Sequence, residues 1–127
     1  MRQFELHRTY REKQITALVF QMQKNIHISL HGGDYPHIGA VGIVDPNGIC
    51  TIMELPSHRE GIICSRWTSA FSLSEFRPVV IEAGIHYDSL DSAGIKAVLT
   101  LTDDLLKEIL CRLQDRKESL VDIVIDA

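Results

Sequence analysis

The chain predicts an α+β domain, with a mainly antiparallel sheet of about six strands and two main helices packed on one of its faces. Three observations lead there. Residues 4–55 read as five short strands with no crossover helix between them, two stretches of helical spacing follow, and an apolar strand separates those two stretches. Runs of strands followed by helices favour helices segregated to one side of an antiparallel sheet.

Phe4 to Tyr10 alternates with period two, and Ile15 to Met22 forms a second strand behind the polar turn Arg11-Glu12-Lys13-Gln14. A third strand places Ile26, Ile28 and Leu30 on one face and His27, Ser29 and His31 on the other. Gly32-Gly33 ends it, Pro36 fixes φ ahead of His37, and Ile38 to Val44 resumes as a strand that Asp45-Pro46-Asn47-Gly48 turns into Ile49 to Leu55. Ser57-His58-Arg59-Glu60 has the S-x-x-E spacing of a capping box, so a helix is expected to start there and run to about residue 73 through Ile62, Ile63, Trp67, Ala70 and Phe71. Pro78 introduces the apolar strand Val79 to Ile85. A short helix is expected over Ser89 to Val98. Thr102 then caps another, with Asp103 and Asp104 near its positive end and a stripe of Leu105, Leu106, Ile109, Leu110 and Leu113. Leu120 to Ile125 alternates again, as an edge strand or a partner-binding tail.

Composition excludes several classes of function. The 127 residues, 45% hydrophobic, fit a single domain over 1–127 without a linker or repeat, and a chain of that size buries roughly two thirds of its unfolded surface. Lys+Arg 13 against Asp+Glu 17 leaves a net charge of −4, which gives no general attraction for nucleic acid or an anionic membrane. Any bound anion therefore needs a local device. Cys50, Cys64 and Cys111 form no C-x-x-C pair, so neither a disulfide framework nor a zinc knuckle is indicated, and a cytoplasmic setting is expected. No stretch approaches 18 apolar residues, and the N-terminus lacks the pattern of an export signal.

Four polar knots interrupt the apolar segments: Gly32 to Gly39, Pro56-Ser57-His58, Gly84-Ile85-His86 and Thr102-Asp103-Asp104. Loops at segment ends build sites, and neutral imidazole binds divalent metals or donates to phosphate. His37, His58 and His86 are the resulting candidates. The Gly-rich segment lacks G-x-G-x-x-G and a Walker lysine, so standard nucleotide loops are excluded. The exposed amides around Ser57 would receive a phosphate or a carboxylate as readily as they would complete a cap. Adjacent helical residues diverge by about 100°, so Asp103 and Asp104 offer one metal ligand at most.

In order and spacing, G-G-x-x-P-H-I-G, P-S-H, A-G-I-H and T-D-D-L resemble the prenylated-flavin chaperone family, the small LpdD-type subunit encoded with UbiD-type phenolic-acid decarboxylases such as gallate decarboxylase. The similarity runs from about Gly32 to Leu113. It implies a fold similar to that of proteasome-assembly chaperones, a homodimer, and an accessory role in binding prenylated FMN and supplying it to the decarboxylase. It also implies a flavin prenyltransferase as a second partner. Mapped onto this chain, the expected cofactor-binding residues are Gly32, Gly33, His37, Gly39, Ser57, His58, Gly84 and His86. A divalent metal held by His37, His58, His86 and Asp103 would bridge to the flavin phosphate. Two alternatives stand beside it: an assembly subunit without flavin affinity, in which the sheet or the Leu120 to Ile125 tail docks on the decarboxylase and the histidines are incidental, and a small metal-dependent enzyme that uses the same residues to mature the cofactor.

Overall fold

The computed structural model describes residues 1–56 and 58–115. Six strands and two helices follow in the order β1 (Arg2–Tyr10), β2 (Lys13–Met22), β3 (Asn25–Gly33), β4 (Ala40–Val44), β5 (Cys50–Glu54), α1 (Gly61–Ser72), β6 (Val79–His86) and α2 (Ser92–Leu113). They form one sheet ordered β1-β2-β3-β6-β4-β5. All pairings are antiparallel except β3 with β6 at the centre. That parallel pair needs a crossover, which the β4-β5 hairpin and α1 together supply.

The first two hairpins turn on non-glycine residues at positive φ, Arg11 (53°) with Glu12 (65°), and Gln23 (60°). Such turns match the right-handed twist of the strands they join. The third turn closes as its residues require: the Asp45 carboxylate accepts from the amides of Asn47 and Ile49, both at 2.9 Å.

Alternation places a buried apolar face on β2, β3, β4 and β6, with Leu6 joining it from β1. Leu6, Ala17, Leu30, Ala83 and Ala40 lie in one row across the sheet, and Val19, Ile28 and Ile81 in the next. All eight are buried. Both helices cover this face, α1 over β4, β5 and β6 and α2 over β1 and β2. Trp67 and Phe71 of α1, and Leu105 and Ile109 of α2, are fully buried against it.

Three helix expectations are corrected. The first helix begins at Gly61, with Glu60 as its N-cap and no side-chain cap bond. Ser57 lies outside the described residues, and the Glu60 side chain turns toward the preceding loop. The cap comes from the sheet instead, because Glu54, last residue of β5, accepts from the Gly61 amide at 3.0 Å. Ile62, expected in the apolar stripe, is 54% exposed. The second region is one helix and not two, begun by Asp91, whose carboxylate accepts from the Gly94 amide at 2.7 Å. Thr102 caps nothing; it is buried in mid-helix, its hydroxyl donating to the Leu99 carbonyl at 3.0 Å. Leu120 to Ile125 lies outside the described residues.

The core argument has a direct check. Phe71→Ala is expected to destabilise the protein by about 3–5 kcal/mol, measured by urea denaturation, because the ring is fully enclosed between helix and sheet. A loss below about 1 kcal/mol would contradict this packing.

Candidate functional site

The parallel pairing sends the C-terminal ends of β3 and β6 to the same end of the sheet, with Gly33 opposite His86 in register. The chain then passes through residues 34–39 before entering β4. This loop is pinned to β6 and β5 by backbone bonds: the amide of Asp34 donates to the His86 carbonyl at 2.6 Å, that of Gly39 to the Ala83 carbonyl at 2.8 Å, and that of Leu55 to the Gly39 carbonyl at 2.8 Å. The Asp34 carboxylate also accepts from the Asp88 amide at 2.9 Å.

The motif glycines make room for the protein's own chain. A Cβ on Gly84 would collide with the His37 carbonyl, and one on Gly39 with the Glu60 carboxylate. Gly32 and Gly33 lie in the same way against the backbones of Gln14 and His86. The expectation that these four glycines let a flavin approach the backbone is therefore revised, since protein atoms already occupy the space beside them.

Those close approaches deliver three side chains to one place. Nitrogen or oxygen atoms of His37, His58 and Glu60 all lie within 4.8 Å of one another. His37 Nε2 is 2.7 Å from Glu60 Oε1, and His58 Nδ1 is 3.8 Å from Glu60 Oε2. The two rings face each other at a centroid distance of 4.7 Å and an interplanar angle of 30°. The Glu60 side chain is only 9% exposed. Its Oε2 also accepts from the Arg59 amide at 3.1 Å. Among the described residues no lysine or arginine pairs with Glu60 or Glu54.

The tautomer of His37 follows from its neighbour. Its Nδ1 is 2.8 Å from the Tyr35 carbonyl, which only accepts, so Nδ1 carries the hydrogen. In the neutral ring Nε2 is then a bare lone pair, and it is buried without a hydrogen-bond partner although Glu60 Oε1 is so close. The two observations agree: the carboxylate is near but does not lie along a hydrogen-bonding direction of the ring.

The remaining candidates divide. His86 ends β6 at the same end of the sheet, is exposed, and pairs through Nε2 with Asp88 at 3.0 Å. Its ring lies 5.5 Å from that of Tyr35. Tyr35 (62% exposed) and Ile38 (51%) extend this into an aromatic and apolar surface beside the cluster. Asp103 does not reach the histidines; it sits on α2 and binds Arg66 of α1 at 2.8 Å. Glu60 was hidden by the capping-box spacing of Ser57 and Glu60, which gives a glutamate before a helix an ordinary task. His27 and His31 stand on the open sheet face, His27 paired with Glu82 at 2.6 Å. A hollow of about 430 Å³ lined by Met22, Asn25, Ile26, His27, Pro78 and Val80 lies at the other end of the sheet.

Fold and site together define a small α+β domain with one six-stranded sheet, two helices on one face, and a histidine–carboxylate cluster at the end of its parallel pair. The fold is that of a chain in the crystal structure of a novel chaperone complex for yeast 20S proteasome assembly, with a TM-score of 0.51, 11% identity, and coverage of 84% of this chain and 99% of that one. More specifically, residues 9–114 match the model of the prenylated flavin chaperone LpdD-like domain, and the chain belongs to that family. It is 28% identical over 106 residues to Protein LpdD of Lactiplantibacillus plantarum (strain ATCC BAA-793 / NCIMB 8826 / WCFS1), covering 80% of this chain and 78% of that protein.

Two checks follow from this packing. Gly84→Ala must displace the backbone of His37 and is expected to cost about 3 kcal/mol or more in chemical denaturation. Gly39→Ala meets only the end of a side chain, so it should fold while moving the Glu60 carboxylate away from His37. Equal stability of the two variants would overturn the distinction. Cys64, beside this carboxylate, has its thiol pushed up to about 11 by burial first and then by the charges of Glu60 and Glu54. Because the folded form holds that proton more tightly, its contribution to stability is intact below about 9 and is lost as pH rises toward 11. At pH 8 a thiol reagent should label Cys50 and Cys111, both exposed, and reach Cys64 only on unfolding.

Proposed function

We propose that the protein is a non-catalytic carrier of prenylated FMN, which it takes from a flavin prenyltransferase and supplies to a UbiD-type decarboxylase. The observation that carries this reading is the convergence of separate motif segments at one end of the sheet, beside the exposed surface of Tyr35, Ile38 and His86. A planar, partly apolar ring system suits such a surface, because aromatic and aliphatic side chains cover a flavin without reacting with it. The chemistry of the flavin belongs to the cofactor. The residues of this chain would hold and orient it: Tyr35 and His86, whose rings are 5.5 Å apart, would cover the ring system, and His37 and His58 would receive its phosphate. Gly32, Gly33, Gly39 and Gly84 act through shape, by holding the loop in place. Ser57, next to His58 in sequence, completes the proposed set.

The reading places the protein in the cytoplasm as a homodimer. A second reading, an assembly subunit without flavin affinity, is favoured by the outer sheet face, where no helix among the described residues covers Leu18, Phe20, Val41, Ile43 and Val80. Anaerobic titration with prenylated FMN, followed by flavin absorbance with plain FMN as control, separates the two. Saturable binding selective for the prenylated form is expected, weakened about 3- to 10-fold by Tyr35→Ala. Absence of binding, with a stable complex to the decarboxylase retained, would establish the assembly reading instead.

A further inference from the structure

We infer that His37, His58 and Glu60 form a two-histidine, one-carboxylate site for a single first-row divalent cation, with open positions for an oxygen anion such as a phosphate. The inference stands on side-chain geometry and not on the flavin reading. It also replaces the ligand set expected from sequence, since Asp103 is held by Arg66 and His86 is paired with Asp88.

The starting point is a conflict of charge. With hydrogen on Nδ1, His37 Nε2 is an unprotonated acceptor 2.7 Å from a carboxylate oxygen that lies off its lone-pair direction, and two acceptor atoms at that distance repel. Something positive must lie between or beside them. A proton on Nε2 answers the charge but not the geometry, because the ring nitrogen makes no hydrogen bond. A metal ion does satisfy it. Two bonds of 2.0–2.2 Å meeting at a right angle leave their donor atoms about 3 Å apart, without either atom pointing at the other. The observed separation of 2.7 Å is close to that value. His58 Nδ1, 3.8 Å from the other carboxylate oxygen, comes into range with a small side-chain adjustment.

The surroundings favour a cation. Glu60 and Glu54 stand together at the start of α1, and no lysine or arginine among the described residues neutralises either. A buried carboxylate with no lysine or arginine to balance its charge is costly, so a bound cation would lower the energy of the fold as well as create a site. The Tyr35 carbonyl supplies the outer support seen at metal-bound histidines, fixing the tautomer so that Nε2 faces the ion. Imidazole and carboxylate donors suit zinc, iron(II), cobalt(II) or manganese(II) better than magnesium or calcium. Three protein ligands on one side leave the other positions free, and those positions give an acidic chain its local device for an anion.

The test uses the full chain stripped with a chelator and titrated with Co2+ by visible absorption and with Zn2+ by calorimetry, in a Cys50→Ser, Cys111→Ser background that removes the exposed thiols. One ion per chain is expected, with ligand-field bands free of thiolate charge transfer and no competition from excess Mg2+. Glu60→Gln and His58→Ala should each weaken binding by more than about 100-fold, beyond the loss typical of outer-shell changes. Asp103→Asn should leave it unchanged. Folding of the variants is checked by circular dichroism. Independently of any ligand variant, Mn2+ should broaden the ring signals of His37 and His58 and spare those of His7 and His27. Binding at less than one ion per chain, affinity insensitive to Glu60→Gln and His58→Ala, or broadening spread over all histidines would overturn the site.

Discussion

The arrangement at the working end of the molecule depends on one contact, the His37 carbonyl lying against the bare Cα of Gly84. Any side chain at that position of β6 would lift the loop off the sheet. The loop carries His37, and its last residue, Gly39, is bonded on both sides, through its amide to β6 and through its carbonyl to Leu55. Leu55 leads into the segment that holds His58 and Glu60. A steric allowance of one missing methyl group thus sets the position of three clustered side chains from two separate parts of the chain. The backbone bonds make that position rigid, and rigidity is what a ligand cluster needs.

Electrostatics builds on this geometry. An N-terminal glutamate on a helix is ordinarily stabilised by the helix dipole and by solvent. Glu60 has the first and little of the second, since its side chain is 9% exposed. Its neighbours are two imidazoles, one with its hydrogen committed to the Tyr35 carbonyl. The Gly61 amide, first of the helix, is taken by Glu54, and Glu60 itself makes no cap bond. This leaves the Glu60 carboxylate to face the loop and its two imidazoles.

Much of the fold was legible in the sequence because period-two alternation is a strong signal. The strand faces of β3, the Asp45 turn and the buried stripe from Leu105 to Leu113 are read directly from spacing. Helix boundaries were less legible. Thr102-Asp103-Asp104 resembles a helix start because those residue types are good caps, yet Thr102 is buried in an unbroken turn and Asp103 is spent on Arg66. The site was half legible. His37 and His58 stand out in their motifs, but Glu60 takes its partner across a loop whose placement depends on β4 lying beside β6, a tertiary fact that local spacing does not contain.

The single parallel pairing explains why the site is where it is. In a wholly antiparallel meander, adjacent strands end at opposite edges, and a cluster at one edge would draw on alternate loops. Here β3 and β6 run together, so Gly33 and His86 finish side by side and the crossover between them must leave and return at set ends. The departing loop and the start of α1 therefore meet beyond the carboxyl ends of two parallel strands, the place where open sheets generally hold ligands. Helices cover only the opposite face of the sheet from Val41, Ile43 and Val80, so nothing among the described elements roofs the loop from that side. The same asymmetry that gives the domain one core leaves its central strands able to present a rigid, accessible end.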